Sequence, residues 1–587
     1  MADRKDGVFG RRVFMPQFLE HSLRWIFSAR SILKLSTVYF FVIIFCSLSH
    51  QTQASDSCAI ATAHPEATAA GCEVLLDGGN AFDAAIAVTA ALGVVEPYSS
   101  GLGGGGFYLL HVADSGRDVF VDAREIAPER ASEGLYLNAE GLGVPLRSRE
   151  GPLAAAIPGI PAALQHLSTV YAKLPLEAVL QPAITLARDG FSVDPRYVRA
   201  VGWVEKRIRK FKLSERIFFN KGEPFKLGEV LKQPDLAQTL ETMAKDIDSF
   251  YRGSIAHEMV NHVVSSGGNW TLDDLKNYQV KERAPVIINF NGAKIVTAPL
   301  PSSGGLVMAQ VFNILEDLSY YSHDHTVRPH LMVEAMRRGY NDRARFMGDP
   351  DFSDAPLKQL MSLEYARKRG RSISFDAATD SDSLPTVFDL TLDGEETTHF
   401  SIVDDEGNRV AATLSINGPF GSGMVAGNTG ILLNNHMDDF SIGIGKGNAY
   451  ELVGNRANGI EPRKRPLSSM SPTFVGSEKG DLAIGTPGGS RIISMVMLAI
   501  LEYLDPINVD PEAIVSLARY HHQYLPDRVQ VEPDSFDDAW ISQLRSKGHD
   551  VQVYRRKWGN MQAIHCDTKQ IRCSVLNDPR GRAGVVF

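Results

Sequence analysis

The chain has 587 residues, 44% hydrophobic and 22% charged, enough to bury a large core in one big domain or several. A net charge of −9 and an isoelectric point near 6.0 exclude the basic face of a dedicated nucleic-acid binder. No internal period of about 20–50 residues is present, which excludes repeat architectures.

Arg4, Lys5, Arg11, Arg12, Arg24, Arg30 and Lys34 precede an apolar run from Val38 to Cys46, and Thr52-Gln53-Ala54 offers a small-x-small cleavage site. Residues 1–54 are therefore expected to be a secretory signal with a long basic leader. The run falls short of the roughly 20 apolar residues of a membrane span, with a retained signal anchor as the competing reading. The expected destination is the periplasm or the exterior, with a membrane tether if the signal is kept. An oxidising compartment favours disulfides among the four cysteines beyond Ala54. Cys58 opens a strand-like run and Cys72 lies in the helix after it, while Cys566 and Cys573 flank the turn of an apolar-alternating hairpin.

Residues 64–92 carry a helical period broken at Gly78-Gly79-Asn80, and a glycine block follows at Gly101 to Gly106. The block precedes the apolar strand Phe107 to His111. A dinucleotide fingerprint needs strand, glycines and then helix, so close backbone packing is the expected role. Residues 158–345 read as mainly helical, with a strand near Ile287–Val296 and a turn at Pro301 to Gly305. His323, His325 and His330 are expected in a polar loop capping a helix that starts near Arg328, and His521-His522 in a polar turn before Pro526. The first group, around Asp324, could suggest a metal but is explained by the capping loop, and the second has no acidic ligand at metal-type spacing, so no metal is expected. Asn269-Trp270-Thr271 is a formal glycosylation sequon.

From Arg371 to Glu396 seven acids and many Ser, Thr, Asp and Pro residues predict an exposed linker. It runs directly into the alternating strand Thr397 to Val403, a turn over Asp404 to Asn408, and a returning strand Val410 to Leu414. A cut before Thr397 would place a free α-amine beside that threonine's own hydroxyl, and such an amine can serve as its base. An ordinary Thr-rich strand is the alternative. Further on, Leu482 to Gly485 predicts a strand and Arg491 to Leu504 a helix. Gly488 and Gly489 then sit where unpaired N–H groups at a helix start can face an anion.

Seven motifs appear in order: Glu96-Pro97 with the glycine block; Asp122-Ala123-Arg124-Glu125; Asp342 to Pro350; Thr397-Thr398-His399; Asn434 to Phe440; Pro466 to Thr473; and Gly485 to Ser490. With them, everything after residue 57 resembles the γ-glutamyltranspeptidase (glutathione hydrolase) family. The resemblance implies an α+β, four-layer αββα sandwich of the N-terminal-nucleophile hydrolase type, self-cleaved between Glu396 and Thr397. The products would be a large subunit, 55–396, and a small catalytic one, 397–587, held together as a heterodimer.

The resemblance also implies the roles. Thr397 would be the nucleophile, supported by Ser415, with Gly488 and Gly489 as the oxyanion hole. Arg124, Ser468 and Ser469 would bind a γ-glutamyl α-carboxylate, and Asn417, His436 and Asp439 its α-ammonium. Tyr450 would belong to a lid loop. The implied partners are glutathione and other γ-glutamyl compounds, with water or amino-acid and peptide acceptors, and no cofactor is needed. A glutaryl-lactam (cephalosporin) acylase or poly-γ-glutamate hydrolase of the same fold is the alternative, and an inactive binding protein a more distant one.

Two positions depart from the family: His436 stands where Gln or Glu is usual, and Ser415 where Thr is usual. A neutral imidazole can accept from an ammonium and a protonated one repels it, so binding is expected to be pH-sensitive.

Overall fold

The computed structural model describes residues 58–140, 144, 146–385, 397–442, 455–507, 510–567 and 572–581. The leader 1–54, Glu396, Tyr450 and the turn between Cys566 and Cys573 at 568–570 lie outside the described residues.

Two six-stranded antiparallel sheets form the middle of the body. The first runs Ala59–Thr62, Thr398–Val403, Arg409–Ser415, Gly105–Val112, Arg117–Ala123, Lys281–Arg283. The second runs Arg572–Asn577, Gln562–Asp567, Gly480–Gly485, Thr473–Ser477, Ala293–Thr297, Val286–Phe290. The segments before and after Thr397 contribute strands to both sheets, so neither segment has a complete sheet alone.

Each sheet has a helical layer on its outer face. Helices Pro65–Leu76, Ala81–Val95 and Leu176–Asp189 share one core with Phe400, Ile402, Val410, Ala412 and Leu414. Helices Gly304–Asp317, Arg328–Phe346 and Ile492–Leu504 share another with Phe474, Leu482 and Ile484. Phe107, Leu109, Phe120 and Ala411, from the first sheet's other face, join that second core. The architecture is the α+β, four-layer αββα sandwich.

This layering explains why the Thr398–Val403 strand does not alternate between core and solvent. Five of its six residues are buried, because helices cover one face and the second sheet the other. Its turn is built by Asp404, whose carboxylate accepts the N–H groups of Glu406 at 3.0 Å and Asn408 at 2.9 Å. The same carboxylate accepts the N–H of Ala81 at 2.8 Å, tying the turn to a helix that Asn80 and Asp83 cap reciprocally. Gly103 to Gly106 pack backbone on backbone: a Cβ on Gly103 would meet Leu432 O at 2.1 Å, and one on Gly104 would meet Ser415 O at 2.3 Å. Cys58 is bonded to Cys72 and Cys566 to Cys573, the latter two directly opposed across the terminal hairpin.

Three expectations change and one is extended. The region Ile287–Val296 is a hairpin of two strands, turning at Asn291 with φ 45° and Gly292 with φ 77°. The acidic stretch is largely exposed over its described part, to Pro385, as expected, but it is anchored to the body rather than free. There Ser381 N–H donates to Asp527 at 2.8 Å, Thr379 N–H to Glu334 at 3.0 Å, and Asn341 to Pro385 O at 2.9 Å. Polar composition marked the exposure; the anchors, Glu334 and Asn341 on a buried charged helix and Asp527 beyond it, come from distant segments. His521 is a buried strand residue bonded to Ser494 at 2.8 Å, not a turn residue. His330 is buried within the helix Arg328–Phe346, where it bonds His549 at 2.7 Å, rather than lying in the loop before it. Among the described residues no group of three His, Cys, Asp or Glu side chains is arranged to hold a metal.

Candidate active site

Thr397 sits immediately before its strand, 3% exposed, at the wall of a cleft between the two sheets' motif loops. Its Oγ1 lies 3.4 Å from Ser415 Oγ, on the last residue of the adjacent strand. Ser415 Oγ also accepts the N–H of Asn417 at 2.8 Å, which leaves its own hydroxyl proton able to point at Thr397. Asn417 is held at φ 74°, a left-handed conformation that Asn tolerates better than most side chains, and its amide donates to Asn435 O at 3.0 Å.

Below the nucleophile, His399 is fully buried between Thr413 Oγ1 at 2.8 Å and Ser401 Oγ at 3.2 Å. Burial depresses its pKa to about 3, so it is neutral at working pH. Its ring occupies the space a Cβ on Gly485 would need, 2.3 Å away, so Gly485 must be glycine.

The strand Gly480–Gly485 leads into the glycine turn. Gly488 at φ 140° and Gly489 at φ 56° adopt backbone that favours glycine, followed by one 3-10 turn, Gly489–Arg491. The α-helix starts one residue later than expected, at Ile492. Tyr340 hydroxyl donates to Ser490 O at 2.6 Å and anchors the turn. Gly489 lines the Thr397 cleft, whereas Gly488 lines a neighbouring cavity.

The same cleft contains Arg124, Asn417, His436, Asp439, Ser468 and Ser469, all six of the described side chains expected to bind substrate. Arg124, 1% exposed, donates to Asp439 through Nη2 and to Pro466 O through Nε at 3.1 Å. The groups expected to bind carboxylate and ammonium are thus in direct contact rather than at separate poles. That suits a ligand whose α-carboxylate and α-ammonium share one carbon. Burial raises the pKa of Asp439, and the charges of Arg124 and His436 oppose that shift. Ser468 Oγ accepts the N–H of Met470 at 3.2 Å, and the buried Ser469 Oγ has no hydrogen-bond partner among the described residues. His436 Nδ1 lies 2.7 Å from Glu125 Oε1, and its Nε2 4.0 Å from Asp439.

Sequence reasoning missed two residues here. Glu125 was read only as a motif letter, yet it is fully buried and carries His436. Arg343, also read only as a motif letter, lines the cleft, 5% exposed, with Nε donating to Ser303 Oγ at 2.9 Å. Burial lowers its pKa to about 10, partly offset by Tyr340 and Asp439. The available signal was the density of charges on a helix that is buried nearly all round.

The sequence profile of the gamma-glutamyltranspeptidase family matches residues 67–587.

The chain belongs to that family.

A glutathione hydrolase proenzyme of Escherichia coli (strain K12) is 38% identical over 510 residues, covering 86% of this chain and 87% of the relative. One from Pseudomonas sp. (strain A14) is 41% identical over 482 residues, covering 81% and 83%. Among solved structures, gamma-glutamyltranspeptidase of Helicobacter pylori aligns at TM-score 0.55 and 36% identity, over 57% of this chain and 96% of that one. Cephalosporin acylase from Bacillus halodurans aligns at TM-score 0.77 and 28% identity, over 89% and 94%. A gamma-glutamyltranspeptidase chain is thus similar to both transpeptidases and an acylase, and the side chains of the cleft bear on which chemistry it carries.

Proposed function

We propose that this gamma-glutamyltranspeptidase hydrolyses and transfers γ-glutamyl groups from glutathione and related amides, after cutting itself between Glu396 and Thr397. The observation that carries the reading is the Arg124–Asp439 pair in the cleft of Thr397. Arg124 offers a fork for an α-carboxylate, and Asp439, held beside that fork, is the anion within reach of an α-ammonium on the same carbon. A glutaryl group has no such ammonium.

In this reading the Thr397 hydroxyl attacks the Glu396 carbonyl carbon, the Glu396–Thr397 C–N bond breaks to free the α-amine as an ester forms, and water then hydrolyses that ester to release the Glu396 carboxylate and restore the hydroxyl. In turnover Thr397 Oγ attacks the γ-carbonyl carbon and passes its proton to that amine. The oxyanion is held by the N–H groups at Gly488 and Gly489, in a site type where a single donor is worth about 10²–10³ in rate. The amide C–N bond breaks as the leaving nitrogen takes the proton, and water or an acceptor amine then releases the glutamyl ester. Because both segments supply strands to both sheets, the cut products stay together as a two-subunit unit. Export to the periplasm or exterior, with a tether if the leader is kept, belongs to the same proposal and is supported by the basic-then-apolar leader.

Turnover of γ-glutamyl-p-nitroanilide against glutaryl-p-nitroanilide tests the assignment. The γ-glutamyl compound is expected to be preferred roughly 10- to 150-fold, the effect of losing a charge-assisted pair in a buried site. Preference for the glutaryl compound would make the chain an acylase.

Arg124→Ala is expected to lower kcat/KM for a γ-glutamyl substrate roughly 10- to 150-fold, and Arg124→Lys, which keeps charge but not the fork, to be impaired as well. Wild-type kinetics in Arg124→Ala would remove Arg124 from the site.

A pH effect follows from Asp439. Burial raises its pKa above the ordinary 3.8, so falling pH neutralises it earlier than a free carboxylate and weakens the counter-charge to the substrate ammonium. KM for glutathione is expected to rise as pH falls toward that range, and the profile of Asp439→Asn, already raised, to be flatter. Superimposable KM curves for wild type and Asp439→Asn would withdraw Asp439 from the ammonium pocket.

A further inference from the structure

A second cavity, of about 540 Å³, has Pro487 and Gly488 in its wall and so adjoins the turn that borders the Thr397 cleft. Its size suits a short peptide, since small-ligand sites run from about 300 to 1,000 Å³. The described lining includes five cations and no carboxylate. Two are already engaged: Arg196 pairs with Glu96 at 3.0 Å, and Arg580 with Glu532 at 2.6 Å. Arg199, Arg556 and Lys557 are exposed and form no ion pair among the described residues. The Arg556 guanidinium lies 4.5 Å from the ring centroid of Trp203, itself 47% exposed at the cavity.

Two further lining residues carry unmet donors. The indole N–H of Trp558 and the side-chain NH2 of Asn560, on residues 3% and 2% exposed, have no hydrogen-bond partner among the described residues. Asn560 is joined to the glycine turn, its backbone N–H donating to Thr486 Oγ1 at 3.2 Å. Uncompensated cations, unmet donors and aromatic faces around one cavity select a carboxylate-bearing ligand.

We infer that this cavity is the subsite for the amine side of γ-glutamyl transfer, for the departing peptide and then the acceptor, and that it favours peptides with two or more carboxylates. The occupant's role rests on the proposed γ-glutamyl chemistry; its recognition does not. An acceptor seated here is next to the glycines that hold the ester carbonyl, so its amine approaches from the side the leaving amine vacated.

Tryptophan emission of the full chain, titrated with the dipeptide Glu-Glu, with its neutral counterpart Gln-Gln amide and with inorganic phosphate, tests the site without turnover. Glu-Glu is expected to saturate at a concentration at least about tenfold lower than either control, and to weaken as salt rises to about 0.5 M. Arg556→Glu combined with Lys557→Glu, and separately Arg199→Glu, alter exposed side chains and should each weaken Glu-Glu binding about tenfold. Equal binding of Glu-Glu and the neutral peptide, phosphate binding as tightly as the dipeptide, or unchanged binding in both variants would overturn the inference. Failure to turn over γ-glutamyl-p-nitroanilide would sink the proposed function instead, and this titration would still read the cavity.

Discussion

Thr397→Ala is expected to remain one uncut chain and to lose γ-glutamyl turnover by on the order of 10⁴- to 10⁶-fold, the usual cost of deleting a nucleophile. One hydroxyl is assigned both tasks, so a single substitution should abolish both, and Thr397→Ser should retain part of each. Intact mass and a denaturing gel report the cut, and γ-glutamyl-p-nitroanilide reports turnover. The variant should fold, because Thr397 precedes its strand and contributes only a 3.4 Å contact to Ser415. Two fragments from purified Thr397→Ala, divided at the same bond, would show that this hydroxyl does not make the cut.

Glu334→Gln is expected to cost about 3–5 kcal/mol of stability at neutral pH, because it strands buried guanidinium charge. Glu334 is fully buried on the helix Arg328–Phe346, bonded to Arg338 at 2.7 Å and Arg337 at 3.2 Å, both also buried. Burial alone would raise its pKa, but the two arginines and Thr379 hold it near about 2, below the ordinary 4.5. A depressed carboxylate contributes stability above its ordinary pKa and loses it as pH falls toward the folded value. The gap between wild type and Glu334→Gln in chemical denaturation should therefore stay constant at neutral pH and narrow from about 4.5 down to about 2. His522, depressed by burial to about 4 with the Glu334 charge among those opposing the shift, destabilises both proteins from its ordinary 6.5 downward. A gap independent of pH throughout that window would mean that Glu334 is not the charged partner of Arg337 and Arg338.

That charged helix marks the boundary between local and global information. Whatever depends on near neighbours along the chain was legible: the hairpin around Asp404, the strand and glycine turn before the helix Ile492–Leu504, the capped helix after Asn80, and the opposed Cys566 and Cys573. Periodicity, turn chemistry and capping act over a few residues, so their signals lie within one window of sequence. The ordered motifs placed Thr397, Arg124, Asp439 and the serines in one site for the same reason, each being a short string.

What required the tertiary structure was the fate of charge and polarity. Composition rightly marked the stretch after Arg371 as mostly exposed, but not that its described part is anchored by Glu334, Asn341 and Asp527, the first from 45 residues away and the last from 146. Alternation marked the Thr398–Val403 strand as half-exposed, and a second sheet covered the other face. Glu125 reaches His436 across 311 positions, and Arg343, on the helix Arg328–Phe346, lines the cleft of Thr397. A charged side chain can be buried only where partners and hydrogen bonds offset its lost hydration, and those partners come from distant segments. Residue type and local period therefore determined which elements form and which short motifs hold chemistry. The packing of the two sheets and their helices decided which charges pair, which stay open to a ligand, and that a cationic cavity stands beside the glycine turn.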